Sequence, residues 1–126
     1  MLRLFLVGAG GFIGTLARYW LSGVIARRYG ETFPFGTLAV NAVGCFVIGF
    51  LFYFFYDQSL TSPTSRTVLF IGVLGGFTTF SSYGLQTFTL LRDGELSLAL
   101  ANVVASNVLC LVLVWLGYTL AKAIHV

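Results

Sequence analysis

Apolar residues run through this chain in four long blocks, with short polar clusters between them. The first block covers about Leu4 to Ala26 and stops at Arg27-Arg28-Tyr29-Gly30-Glu31. The second runs from about Phe35 to Tyr56, entered through Phe33-Pro34 and left at Asp57. A polar stretch, DQSLTSPTSR over Asp57 to Arg66, reads as the longest loop. The third block covers Thr67 to Leu91 and is closed by Arg92-Asp93-Gly94-Glu95; the fourth covers about Leu96 to Ala121 and ends at Lys122. A helix needs about 20 apolar residues to cross a hydrocarbon core of roughly 30 Å. The pattern therefore predicts an all-α integral membrane protein, one domain over residues 1–126 with four transmembrane helices.

The third block contains an irregularity. Its middle reads GGFTTFSSYG, residues 75 to 84. Paired glycines followed by β-branched threonines weaken a helix over several residues. Non-helical backbone at membrane depth survives only where it is buried in protein or lines a cavity. A broken third helix with a site at the break is the expectation.

Composition agrees with the bilayer. Of the 126 residues, 58% are hydrophobic and 9% charged, against about 25% charged in a soluble domain. The first block has no small-x-small cleavage pattern after it, so it is expected to stay as a span. The basic residues stand singly or in one pair between spans and form no patch, which excludes a nucleic-acid partner.

Charge placement bears on orientation. All four acidic residues lie in loops, and Arg18 is the one basic residue well inside a span. Four spans put Arg3, Arg66 and Lys122 on one side and Arg27, Arg28 and Arg92 on the other. This three-to-three balance leaves the positive-inside rule no bias to act on. Insertion in both orientations is expected, with opposed copies pairing about a two-fold axis in the membrane plane.

Polar residues within the spans fall in stripes. Thr37 and Asn41 are one turn apart on the second span, and Gly44 continues their face. Asn102, Ser106 and Cys110 follow at successive i+4 steps on the fourth. The third carries Thr78, Thr79, Ser81 and Ser82, with Phe80 and Tyr83 at i, i+3. Such residues often tie helices together, but three stripes on three spans resemble the wall of a narrow polar path. Pathways for protons and cations usually place carboxylates or histidine in the spans. None is present here, so neutral donors, with aromatic ring edges beside them, suit a small anion. Arg18 adds positive potential or pairs with backbone carbonyls. Cys45 and Cys110 read as buried apolar thiols, and the single histidine, His125, leaves no metal-ligand spacing. The glycine-rich run at 8 to 14 lacks dinucleotide-binding spacing and reads as helix packing, as does Gly72-x-x-x-Gly76. Asn107 has no role in this pattern.

At these residues the chain resembles the Fluc (CrcB-type) fluoride channels. The resemblance is carried by GGFIGTLARY at 10 to 19, GTLAVN at 36 to 41 and GGFTTFSSY at 75 to 83. It implies an antiparallel, dual-topology homodimer with two fluoride pores in the bacterial plasma (inner) membrane. It also implies a structural sodium ion on the dimer axis, held by the backbone carbonyls of Gly75 and Thr78. Asn41 and Phe80 match a pore asparagine and a box phenylalanine; Thr37 and Ser106 match a polar track. Arg18 matches a first-helix arginine. Three positions depart from that pattern: Tyr83 in place of a phenylalanine, Asn102 in place of a tyrosine and Cys110 in place of a serine. Ser81 joins the pore candidates as one more hydroxyl beside the break.

Passive fluoride export, with no enzymatic step, is the function these readings converge on. Two rivals differ in class. A small multidrug-type dual-topology transporter shares size and span number but needs a carboxylate within the membrane to exchange protons for cationic drugs. A non-transporting membrane assembly subunit would account for the glycines but not for the polar stripes.

Overall fold

The computed structural model describes residues 1–125 and contains four helical spans long and apolar enough to cross a membrane. Helix α1 (Leu2–Tyr29) forms the first span. Helix α2 (Phe35–Phe52) continues through wider π-helical turns over Tyr53–Asp57 to complete the second. The third span, Pro63–Arg92, is assembled from α3 (Pro63–Thr67), a π-helical stretch (Val68–Leu74), α4 (Gly75–Phe77) and α5 (Phe80–Arg92). Helix α6 (Leu96–Ile124) is the fourth.

The third span begins earlier than hydropathy predicts. Ser62 caps α3 by accepting the Ser65 N–H at 3.2 Å, and Pro63 occupies the first turn, where its missing N–H costs nothing. The polar residues Pro63 to Arg66 are thus the first turn of a helix, although their composition reads as loop.

Glycines set the packing. A Cβ at Gly14 would collide with the Val73 carbonyl, and one at Gly76 would lie 2.6 Å from the Gly11 oxygen. The first and third spans therefore touch backbone to backbone. Gly49 and Gly117 do the same for α2 and α6, against Val114 and Phe46 carbonyls. Without a hydrophobic force between helices in lipid, such close approach and its dispersion contacts hold the bundle.

One end of the bundle is tied by polar side chains. Arg3 donates to Thr67 Oγ1, the Tyr118 hydroxyl donates to Asp57 at 2.7 Å, and Tyr53 lies 3.3 Å from His125 Nδ1. The N-terminus, the 57–66 segment and the C-terminal turn therefore share one side, as the charge count assumed.

Candidate functional site

The site is built on two residues that leave the helix. Thr78 (φ −79°, ψ 157°) and Thr79 (φ −151°, ψ 112°) are extended, and α5 resumes at Phe80. Thr79 caps α5 by accepting the Ser82 N–H at 3.2 Å. Extended backbone inside a bundle needs partners from elsewhere, because a buried unpaired amide is costly.

Asn41 supplies them. Its Oδ1 accepts the Thr79 N–H at 2.8 Å, and its Nδ2 donates to the Thr79 carbonyl at 3.0 Å. The side-chain amide stands in for a missing peptide partner and holds the segment to α2. One turn on, Gly44 has no side chain because the Thr78 methyl and the Phe77 ring fill that space.

The break leaves two carbonyls without their helical donors, because the Ser82 N–H that would reach Thr78 is given to Thr79 Oγ1. The Thr79 N–H would close the helical bond to the Gly75 carbonyl, but it is given to Asn41. The Thr78 carbonyl faces Arg18 Nη1 at 3.5 Å, a long contact. Arg18 thus reaches from α1 to the same segment that Asn41 holds to α2.

A cavity of about 360 Å³ opens beside the clamp, lined by Asn41, Thr79, Phe80, Tyr83, Ser106 and Asn107 among others. No carboxylate lines it. The Phe80 and Tyr83 rings lie 5.1 Å apart and tilted by 52°. Phe80 is 80% exposed, so its ring projects from the surface of the chain. The Cys45 and Cys110 thiols are neighbours on the same wall, supplied by α2 and α6. Thr79 also borders a second cavity of about 230 Å³, where Arg18, Thr37 and Ser82 are found. Thr79 therefore borders two cavities, in each of which a few neutral donors are set into a mainly apolar wall.

The structure brings Asn41, Gly75, Thr78, Phe80, Tyr83 and Ser106 to one cavity and leaves other candidates outside it. Thr37 is buried and borders the second cavity. Asn102 is 1% exposed and donates to Thr87 Oγ1 at 2.9 Å, while its Oδ1 accepts from Ser106 at 3.3 Å. Its amide joins α5 to α6 and does not line the cavity. Ser81 is exposed, with its hydroxyl 3.3 Å from Thr79 Oγ1. Sequence reasoning gave Thr87 and Asn107 no part, since their partners lie on another helix.

Residues 5–118 match the family described as CrcB-like protein, Camphor Resistance (CrcB). The chain belongs to this family. Among CrcB-like relatives, a protein of Opitutus terrae named "Fluoride-specific ion channel FluC" is 51% identical over an alignment of 127 positions, covering 94% of this chain and 92% of the relative. One of the same name from Geotalea uraniireducens is 51% identical over 114 positions, with 90% and 92% covered. Another from Aquifex aeolicus is 44% identical over 120 positions, with 95% and 97% covered. The similarity spans nearly the whole of each chain, so the polar stripes and the extended threonines belong to the matched region.

Proposed function

We propose that this chain forms a fluoride-selective channel that lets the anion leave the bacterial cytoplasm across the plasma membrane. The observation that carries the reading is the cavity beside the clamp, where neutral donors and aromatic rings meet with no carboxylate among the lining residues. Such a surface favours an anion and offers no proton carrier. The names borne by the relatives agree with it. Fluoride that enters a cell as neutral HF ionises inside, and an inside-negative potential then drives it outward with about 2.3 kcal/mol per charge per 100 mV. Selectivity over chloride follows from a narrow path whose donors replace the tight shell of a small ion.

The working unit in this reading is an antiparallel, dual-topology homodimer in which the third span acts as a broken helix. Phe80 supports it, because a ring projecting from one subunit needs a second wall to border an ion path. The sodium ion belongs to the same reading. The Gly75 and Thr78 carbonyls fit a hard cation, since the Thr79 and Ser82 N–H groups that would bond them in a helix go to Asn41 and Thr79 Oγ1, and Gly75 is exposed. Two copies would present four such oxygens. The ion's role is to hold the two segments together, and Arg18, facing the same Thr78 carbonyl, helps fix its position.

Purified protein in liposomes tests the function directly. Fluoride should leave on dissipating the potential and chloride should stay; equal efflux of both, or none of fluoride, would overturn the proposal. Orientation has its own test. With Cys45 and Cys110 replaced, Ser59→Cys in the 57–66 segment should react with an impermeant thiol reagent to a comparable extent from each side of the membrane. Labelling from one side only would refute opposed insertion.

A further inference from the structure

Asn107 belongs to no stripe in the sequence, yet its side-chain nitrogen makes two contacts. It lies 2.8 Å from the Val103 carbonyl and 3.2 Å from the Tyr83 hydroxyl. A carbonyl only accepts, so the nitrogen, and not the oxygen, of the amide must point to Val103. That nitrogen carries two hydrogens, one for each contact. The Tyr83 oxygen is therefore an acceptor towards Asn107, and its own proton is left over. No other protein group takes that proton among the described residues.

Both residues line the cavity that holds Asn41 and Phe80, and no carboxylate stands there to accept from the phenol. A free O–H beside a positive ring edge, in a cavity without a carboxylate, suits an anion. Resting on the fluoride-channel reading above, we infer that the Tyr83 hydroxyl donates a hydrogen bond to fluoride in this cavity, and that Asn107 is a positioning residue that holds the oxygen and leaves the proton to the ion. A phenylalanine at residue 83 would offer only its ring edge. The tyrosine adds a donor, which strengthens binding at that position more than it speeds passage.

The test separates binding from throughput. In liposomes, fluoride efflux is measured against fluoride concentration for the unaltered protein, Tyr83→Phe, Asn107→Leu and the double variant, each checked as a dimer by gel filtration. Tyr83→Phe should raise the half-saturating concentration about tenfold, the least that a hydrogen bond to a charged group contributes. Maximal flux should stay within about threefold, because the ring remains. Asn107→Leu should raise the half-saturating concentration in the same way, and the double variant should be no worse than Tyr83→Phe alone. An unchanged half-saturating concentration in Tyr83→Phe would overturn the inference, as would additive effects in the double variant. Should Asn107→Leu fail to assemble, Tyr83→Phe still decides whether the hydroxyl meets the ion. Absence of fluoride flux in the unaltered protein would instead defeat the channel reading itself, so the two failures are distinguishable.

Discussion

Asn41→Asp should all but abolish fluoride efflux while leaving a protein that still inserts and pairs. The substitution changes one atom, yet it acts twice. The aspartate can still accept the Thr79 N–H, but where Nδ2 donated to the Thr79 carbonyl at 3.0 Å an oxygen would now face an oxygen. A buried carbonyl left unpaired costs about 1–3 kcal/mol, which loosens the extended segment. In the proposed channel the new charge would also border the path of the anion. At an effective dielectric of about 20, two like unit charges about 4 Å apart repel by about 4 kcal/mol, or about a thousandfold in occupancy. Asn41→Ala, which removes the clamp without adding charge, should lose less, and the difference apportions the two effects. Undiminished efflux from liposomes carrying Asn41→Asp would remove Asn41 from the path.

The second large effect is expected at Phe80. Its ring is 80% exposed and sits 5.1 Å from that of Tyr83, so both edges can border the same ion. Phe80→Ile keeps the residue apolar but deletes the positive ring edge. If each edge contributes on the order of 1 kcal/mol and shape adds to it, flux should fall tenfold or more. Tyr83→Phe keeps its ring, so its maximal flux should change little, as argued above. The contrast is the informative outcome. Normal conduction by Phe80→Ile together with failure of Tyr83→Phe at saturating fluoride would mean that the hydroxyl alone does the work and that ring edges do not contact the ion.

Hydropathy alone marked the four spans, because the length of an apolar run and the polar residues ending it are properties of neighbouring positions. The exception was the start of the third span. Pro63 to Arg66 look like loop by composition, but Ser62 caps them into a helical turn, a contact that average polarity does not register. The segment around Gly75 and Thr79 also stood out in the chain, since helix propensity is local. Its residues gave no hint that Asn41 would meet both backbone groups of Thr79.

Residue types and their periodicity on each helix were thus written in the sequence: four apolar runs, three neutral polar stripes, no carboxylate or histidine inside those runs, and balanced flanking charge. Which stripe meets which was decided by the tertiary structure. Glycines at positions 14, 76, 49 and 117 bring backbones together, and the close approach fixes how far each helix is rotated about its axis. That rotation pairs Asn41 with Thr79, 38 residues away, and Asn107 with Tyr83, 24 away; it also turns Asn102 inward onto Thr87. Helical periodicity says that Asn102 and Ser106 share a face, as they do, but it carries no information about what that face will touch. Partner choice in a bundle depends on the contacts of all the helices at once, and for that reason the cavity is a property of the folded chain.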